Sequence, residues 1–134
     1  MPDGWVLIDT SAWIEALRPT GNVLVRERVR DLLAEGRAAT CEMIVLELAG
    51  GTRTEEEYRE LCEDLEALQQ FRITESVWGS AYRIAYMLRR KGVSIPATDQ
   101  LIAAVALNYT CSLLHSDKHF DLLARHVGLP VWKP

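Results

Sequence analysis

Trp5-Val6-Leu7-Ile8 is an unbroken apolar run that ends at Asp9. A strand with one face in water alternates apolar and polar residues. A run with no alternation reads as a strand buried on both faces, the kind found in a parallel sheet covered by helices on either side. Cys111-Ser112-Leu113-Leu114, far along the chain, is a second run of this type, with Asp117 three residues beyond it. Between them helical periods alternate with short strand-like pieces, which predicts an α/β fold with a parallel sheet.

Thr10 or Ser11 is placed to cap a helix over Ala12–Leu17, closed by Pro19 and Gly21. Val25, Val29, Leu32 and Leu33 share one face of a helix over Val23–Glu35, with Gly36 as its stop. Arg37–Thr40 reads as a weak second strand and Glu42–Ala49 as a short helix before Gly50-Gly51. Thr54-Glu55-Glu56-Glu57 is a capping box whose helix is expected to run to about Gln70, with a third strand at Phe71–Ile73. Helices over Glu75–Arg90 and, capped by Thr98, over Asp99–Asn108 precede the fourth strand, and Val131-Trp132 is the candidate fifth. No linker or repeat divides the 134 residues, so residues 1–134 are expected to form a single domain.

Composition narrows the function. Nearly half the residues (49%) are hydrophobic, enough for a core, yet charged residues interrupt every stretch approaching the roughly 20 apolar residues of a membrane helix. Met1-Pro2-Asp3-Gly4-Trp5 lacks the basic-then-apolar order of a signal peptide. Cys41, Cys62 and Cys111 are an odd set at no metal-binding spacing and read as reduced core thiols, so a cytoplasmic location is expected. The net charge of −4 has the wrong sign for a simple electrostatic nucleic-acid binder. An acidic protein can still act on nucleic acid if its carboxylates hold metal ions.

Four acids stand out. Asp9 and Asp117 follow apolar strands, at the carboxyl edge where open α/β sheets gather their ligands. Asp99 opens a helix, and Glu47 lies in the last turn of another. Each of the three aspartates also has a bland reading as a helix cap or a dipole-complementing acid. Glu47 resists it: it sits at the unfavourable end of its helix, beside the apolar face of Met43, Ile44 and Leu48. No Lys or Arg lies between Arg37 and Arg53 to meet it. If the first and fourth strands are neighbours, all four carboxylates converge and repel, and a divalent cation resolves the repulsion. An all-oxygen set with no evident His or Cys ligand favours Mg²⁺ or Mn²⁺. Such ions are the usual apparatus for attack of water on a phosphodiester.

With these motifs in place, the chain resembles the PIN-domain nucleases, most closely the VapC-type toxins of bacterial toxin–antitoxin pairs. The resemblance rests on Val6-Leu7-Ile8-Asp9-Thr10-Ser11, on Glu47-Leu48-Ala49-Gly50, on Pro96-Ala97-Thr98-Asp99 through Ala106, and on Leu113-Leu114-His115-Ser116-Asp117-Lys118-His119-Phe120. It implies a PIN-like three-layer α/β/α sandwich with a short central parallel sheet. Asp9, Glu47, Asp99 and Asp117 become the catalytic, metal-binding quartet, and Ser11, with Thr10 beside it, a supporting hydroxyl. The implied activity is Mg²⁺- or Mn²⁺-dependent endoribonuclease, cutting cellular RNA until a small VapB-like antitoxin occupies the site. A homodimer is expected, from the family's habit and from apolar surface on the helices at Val23–Glu35 and Leu61–Leu68.

Two departures from the family pattern matter. His115 stands where the family commonly has Thr, and His119 where it often has an acid; Asp121 is the candidate substitute for that acid. The histidines themselves are read as loop or partly buried residues, since no zinc-like spacing surrounds them. Lys118 is either a stabiliser of developing phosphate charge or a solvated loop lysine. Arg89-Arg90-Lys91 reads as a helix-terminal cation cluster with RNA phosphate contact as the alternative, and the acid-rich stretch Glu55–Glu66 as a solvated face. A phosphorylation-switched receiver module is disfavoured, because a long acidic helix occupies the mid-chain where its phosphoacceptor strand belongs. The remaining alternative is a catalytically weak PIN-like scaffold that binds RNA or a partner.

Overall fold

Val6–Ile8 forms β1, fully buried and central, paired in parallel with β2 (Ala38–Thr40) on one side and β4 (Ser112–Leu114) on the other. The structure, a computed structural model, describes residues 4–132; Met1-Pro2-Asp3, read above for a leader pattern, lie outside them. β3 (Gln69–Gln70) and β5 (Val131–Trp132) complete a five-stranded, all-parallel sheet in the order β3-β2-β1-β4-β5. Register places Leu7 between Ala39 and Leu113, and Ile8 beside Leu114. The missing alternation in β1 is thus explained: its side chains alternate between the two faces of the sheet and all three are buried, because both faces are covered by helices.

The helices are α1 (Thr10–Leu17), α2 (Val23–Ala34), α3 (Glu42–Gly50), α4 (Glu55–Glu66), α5 (Glu75–Arg90), α6 (Ala97–Asn108) and α7 (Lys118–Val127). Right-handed crossovers put α1–α4 on one face of the sheet and α5–α7 on the other, which makes the expected three-layer sandwich. α6 is the most buried helix: Leu101 through Ala106 are all inside. The unbroken apolar stretch Leu101–Leu107 follows from packing against the sheet, α5, α3 and α7 together. Among the described residues no helix is long and apolar enough to cross a membrane.

Several local expectations are corrected. α4 stops at Glu66 rather than near Gln70, and β3 occupies Gln69–Gln70 instead of Phe71–Ile73. β3 is an edge strand of polar residues, so no apolar run announced it. Phe71, whose apolarity suggested the strand, is buried by stacking on Tyr109 with ring centroids 4.3 Å apart, and only its N–H extends the ladder, to the Thr40 carbonyl. α6 starts at Ala97 behind Pro96, whose carbonyl accepts from Asp99 and Gln100, so Thr98 is not its cap. α1 is capped by Asp9 rather than by Thr10 or Ser11. The sequence assigned no helix span after the fourth strand, although Asp117 had a reading as a cap; α7 is the helix it caps. Cys41 and Cys111 are buried free thiols, each pushed up to about 11 by burial, whereas Cys62 is only half-buried on α4.

Candidate metal centre

Strand order reverses between β1 and β4: the chain winds outward through β2 and β3 on one side and through β5 on the other. At such a switch point the connections leave in opposite directions and open a crevice at the carboxyl edge. Asp9 and the His115-Ser116-Asp117 segment lie at that edge, stitched together by a 2.9 Å bond from the Asp9 N–H to the Leu114 carbonyl. The fold therefore brings the two strand-end acids together, as the sequence pattern anticipated.

Asp9 is almost wholly buried, at 3% exposure. Its Oδ2 accepts from the Ser11 N–H at 2.9 Å and from the Ser11 hydroxyl at 2.6 Å, which caps α1 and holds the carboxylate in place. The same Ser11 Oγ accepts from the Ser116 N–H at 2.9 Å, tying the β1 end to the β4 loop. Asp9 Oδ1 has no hydrogen-bond donor among the described residues and remains available to a ligand. Burial raises the Asp9 carboxyl to about 6 against the lowering effect of the Ser11 bonds, and the charges of Asp99 and Glu47 add to the rise.

Glu47 is carried in from α3 and accepts at Oε1 from the Thr10 hydroxyl at 2.7 Å. The two adjacent hydroxyls of α1 thus serve two different acids, Thr10 holding Glu47 and Ser11 holding Asp9. Asp99, in the first turn of α6, is raised above the usual carboxylate range by burial first, then by the charge of Asp117; Glu47 adds to this, and His119 opposes it. Asp117 caps α7, its Oδ1 accepting from the His119 N–H at 2.9 Å. Asp9 and Asp117 both cap helices, as their bland reading held, and capping leaves each a second carboxylate oxygen at the crevice. Among the described residues no Lys or Arg forms an ion pair with any of the four.

Of the remaining candidates, Asp121 does not join the acids. Its Oδ1 lies 3.6 Å from His115 Nε2, while His115 Nδ1 accepts from the Asp117 N–H at 3.2 Å. Buried against Phe120, His115 braces the Asp117 loop. Lys118 is exposed and, with Asp117 and Asp121, lines a cavity beside the acids.

His119 is the residue that sequence reasoning underrated. Its Nδ1 stands 3.3 Å from Asp99 Oδ2 and 3.3 Å from Asp117 Oδ1, and one ligand atom from each of these three residues falls within 4.8 Å of the others. The available signal was the Asp117-x-His119 spacing, which becomes informative once Asp117 is known to cap α7 through the His119 backbone N–H, so that the two residues share the start of one helix. A cluster of carboxylates in which Asp9 and Asp99 have raised proton affinity, with no Lys or Arg ion pair among the described residues, fits a divalent cation, which would hold those acids ionised.

A doubly covered parallel sheet with acids gathered at the β1/β4 switch point is the arrangement of a PIN domain. The PIN-domain family profile matches residues 6–126, and the chain belongs to that family. Within it, the VapC ribonuclease Mb1587 of Mycobacterium bovis is 34% identical over 128 residues, covering 92% of this chain and 95% of the relative. Ribonuclease VapC21 of Mycobacterium tuberculosis is 32% identical over 128 residues, covering 93% and 90%. Among solved structures, the DNA-bound VapBC from Salmonella typhimurium superposes with a TM-score of 0.78 at 19% identity, over 96% of this chain and 97% of that one. FitAcB from Neisseria gonorrhoeae gives 0.73 at 24%, over 96% and 97%. These two likenesses carry the fold.

Proposed function

We propose that the protein is a VapC-type toxin: a Mg²⁺- or Mn²⁺-dependent endoribonuclease that cuts cellular RNA in the cytoplasm and is inhibited by a small VapB-like antitoxin. The observation that carries this is the convergence of Asp9, Glu47, Asp99 and Asp117 on the β1/β4 crevice, where Asp9 feels Asp99 and Glu47, and Asp99 feels Asp117 and Glu47. The ribonuclease relatives, alike over almost their whole length, give that convergence its chemistry.

A bound divalent ion supplies positive charge that activates water and offsets charge on the phosphodiester. The chain's own residues supply order. Ser11 orients Asp9 and Thr10 orients Glu47, so both carboxylates are preset rather than recruited. Ser11 and His115 hold the Ser116-Asp117 backbone at a set distance from β1. Lys118, exposed beside Asp117, is available to a phosphate oxygen.

The proposed homodimer and antitoxin both need apolar surface, and the fold offers two. Trp78, Tyr82 and Tyr86 recur every four residues along α5 and are exposed, with exposed Leu46 on α3. Separately, Trp13, Leu17 and Leu33 line a cleft with Leu61, Leu65 and Leu68. The first suits a self-complementary pairing and the second an apolar helix of the antitoxin. Light scattering at micromolar concentration is expected to give the dimer mass.

The decisive experiment is cleavage of end-labelled RNA by purified protein with Mg²⁺ or Mn²⁺. Internal cuts that stop on chelation, and that vanish in Asp117→Asn, are expected. Cleavage that survives excess EDTA would remove the metal mechanism, and binding without cleavage would leave the scaffold reading.

A further inference from the structure

We propose that His119 is a nitrogen ligand of the metal centre, so that the site prefers a first-row transition dication such as Mn²⁺ to Mg²⁺. This rests on the metal-dependent reading above and changes the composition of its donor set. The first ground is geometric. His119 Nδ1 is equidistant, at 3.3 Å, from one oxygen of Asp99 and one of Asp117. Neighbouring donors around an ion with bonds of about 2.1 Å in an octahedral shell stand about 3.0 Å apart. The nitrogen thus stands from each oxygen at nearly the spacing of adjacent corners of one coordination shell, and the three donors all lie within 4.8 Å of one another before any ion pulls them together.

The second ground is that Nδ1 is buried yet makes no hydrogen bond of acceptable geometry, although two carboxylates flank it. A single ring N–H could serve only one of these two equidistant oxygens well, whereas a shared cation would serve the nitrogen and both oxygens together. The backbone brings the residue close: Asp117 caps α7 by accepting the His119 backbone N–H at 2.9 Å, which sets His119 in the first turn beside the acid.

The third ground is donor chemistry. Carboxylates alone suit Mg²⁺, which takes hard oxygen ligands and near-ideal octahedral geometry. Imidazole is a borderline donor, and along the first-row series its presence favours transition ions over Mg²⁺. Asp9, Glu47, Asp99 and Asp117 are charged oxygen donors, and one neutral nitrogen among them leaves a net negative site while adding that preference. Asp121, the other candidate named from the sequence, stands with its Oδ1 3.6 Å from His115 Nε2.

The test needs no RNA. Mn²⁺ bound to the purified protein is examined by pulsed electron paramagnetic resonance for modulation from a directly coordinated ¹⁴N. Mg²⁺ competition for bound Mn²⁺ is titrated in parallel. The unaltered protein is expected to show the ¹⁴N modulation. His119→Asp is expected to keep Mn²⁺ bound, lose the modulation, and lower the Mn²⁺-over-Mg²⁺ preference by about tenfold. His119→Gln, which keeps shape without the imidazole, gives the same spectral loss if the aspartate variant folds poorly. Tight Mn²⁺ binding without ¹⁴N modulation in the unaltered protein would overturn the ligand assignment and leave the four-acid site standing. So would modulation that persists in both variants. Absence of any Mn²⁺ or Mg²⁺ binding would overturn both readings together.

Discussion

Asp9 is held by Ser11 and starved of water at the same time, and the two effects oppose each other. Unfolded, its carboxyl titrates at the ordinary 3.8; folded, burial raises it to about 6. Between those values the folded protein binds a proton that the unfolded chain has released. Stability without metal therefore falls as pH rises through this window, and the loss is complete above about pH 6. The size is on the order of 3 kcal/mol. In EDTA, Asp9→Asn is expected to melt higher than the parent at pH 7.5 and to converge with it near pH 4, as paired thermal melts across that range would show. A variant that melts lower at pH 7.5 would mean that the ionised Asp9 is stabilised by its surroundings. Ser11→Ala acts on the same atom from the other side. It removes the 2.6 Å bond to Asp9 and the acceptor of the Ser116 N–H, so about 1 kcal/mol of stability and at least tenfold of RNA cleavage should be lost together. The place of Asp9 and Asp117 at the carboxyl edge was legible in the sequence because an apolar run leading to an Asp reports both burial and chain direction. The approach of His119 Nδ1 to Asp99 and Asp117 was not, because it depends on how α6 and α7 meet, which spacing alone does not specify.

Elements were legible in proportion to how much apolar surface they bury. β1, β4 and α6 are continuous apolar stretches at the centre and were read nearly to the residue, whereas β3 is two glutamines at the sheet edge and left no such mark. α7 is strongly amphipathic, with Phe120 and Leu123 inside. It was obscured by its start, Lys118-His119, which reads as loop until Asp117 is recognised as the cap. The α1–α2 junction shows the same dependence on contacts invisible in sequence. Gly21 was read as a helix stop. In the structure a Cβ there would run into the backbone carbonyl of Glu15, so the turn closes only without a side chain. Around it, the Glu15 carboxylate accepts from the Asn22 N–H at 2.6 Å and Asn22 caps α2 through the Val25 N–H. Gly21→Ala should therefore push α1 and α2 apart and cost about 2 kcal/mol, seen as a lower urea midpoint with an unchanged slope. Because α1 carries both Thr10 and Ser11, RNA cleavage should fall with it. An unchanged midpoint would show that the turn relaxes freely.

At the scale of the whole molecule, the sheet order obliges the fold to assemble like charges. The reversal between β1 and β4 places Asp9 beside the Asp117 loop, while α3 and α6 bring Glu47 and Asp99 to the same edge. Without a cation the native state confines that repulsion and unfolding relieves it, so the site works against the stability of the fold that builds it. Asp99 is the place to measure this. Its carboxyl is raised by burial and by Asp117, and among the described residues no Lys or Arg forms an ion pair with it. Asp99→Asn keeps the shape and removes one charge. Relief among partly solvated carboxylates is on the order of 1 kcal/mol, equivalent to about 4 °C in a domain of this size. In EDTA the variant should melt higher than the parent by that amount. Added Mn²⁺ or Mg²⁺ should raise the parent more than the variant, since stabilisation by a ligand follows its affinity for the native state. RNA cleavage should fall by orders of magnitude at the same time. If Asp99 served only as an acid complementing the α6 dipole, every sign would reverse: the variant would melt lower in EDTA, respond to the cation as the parent does, and still cut RNA. Melting curves with and without the cation, read beside one cleavage gel, separate the two roles.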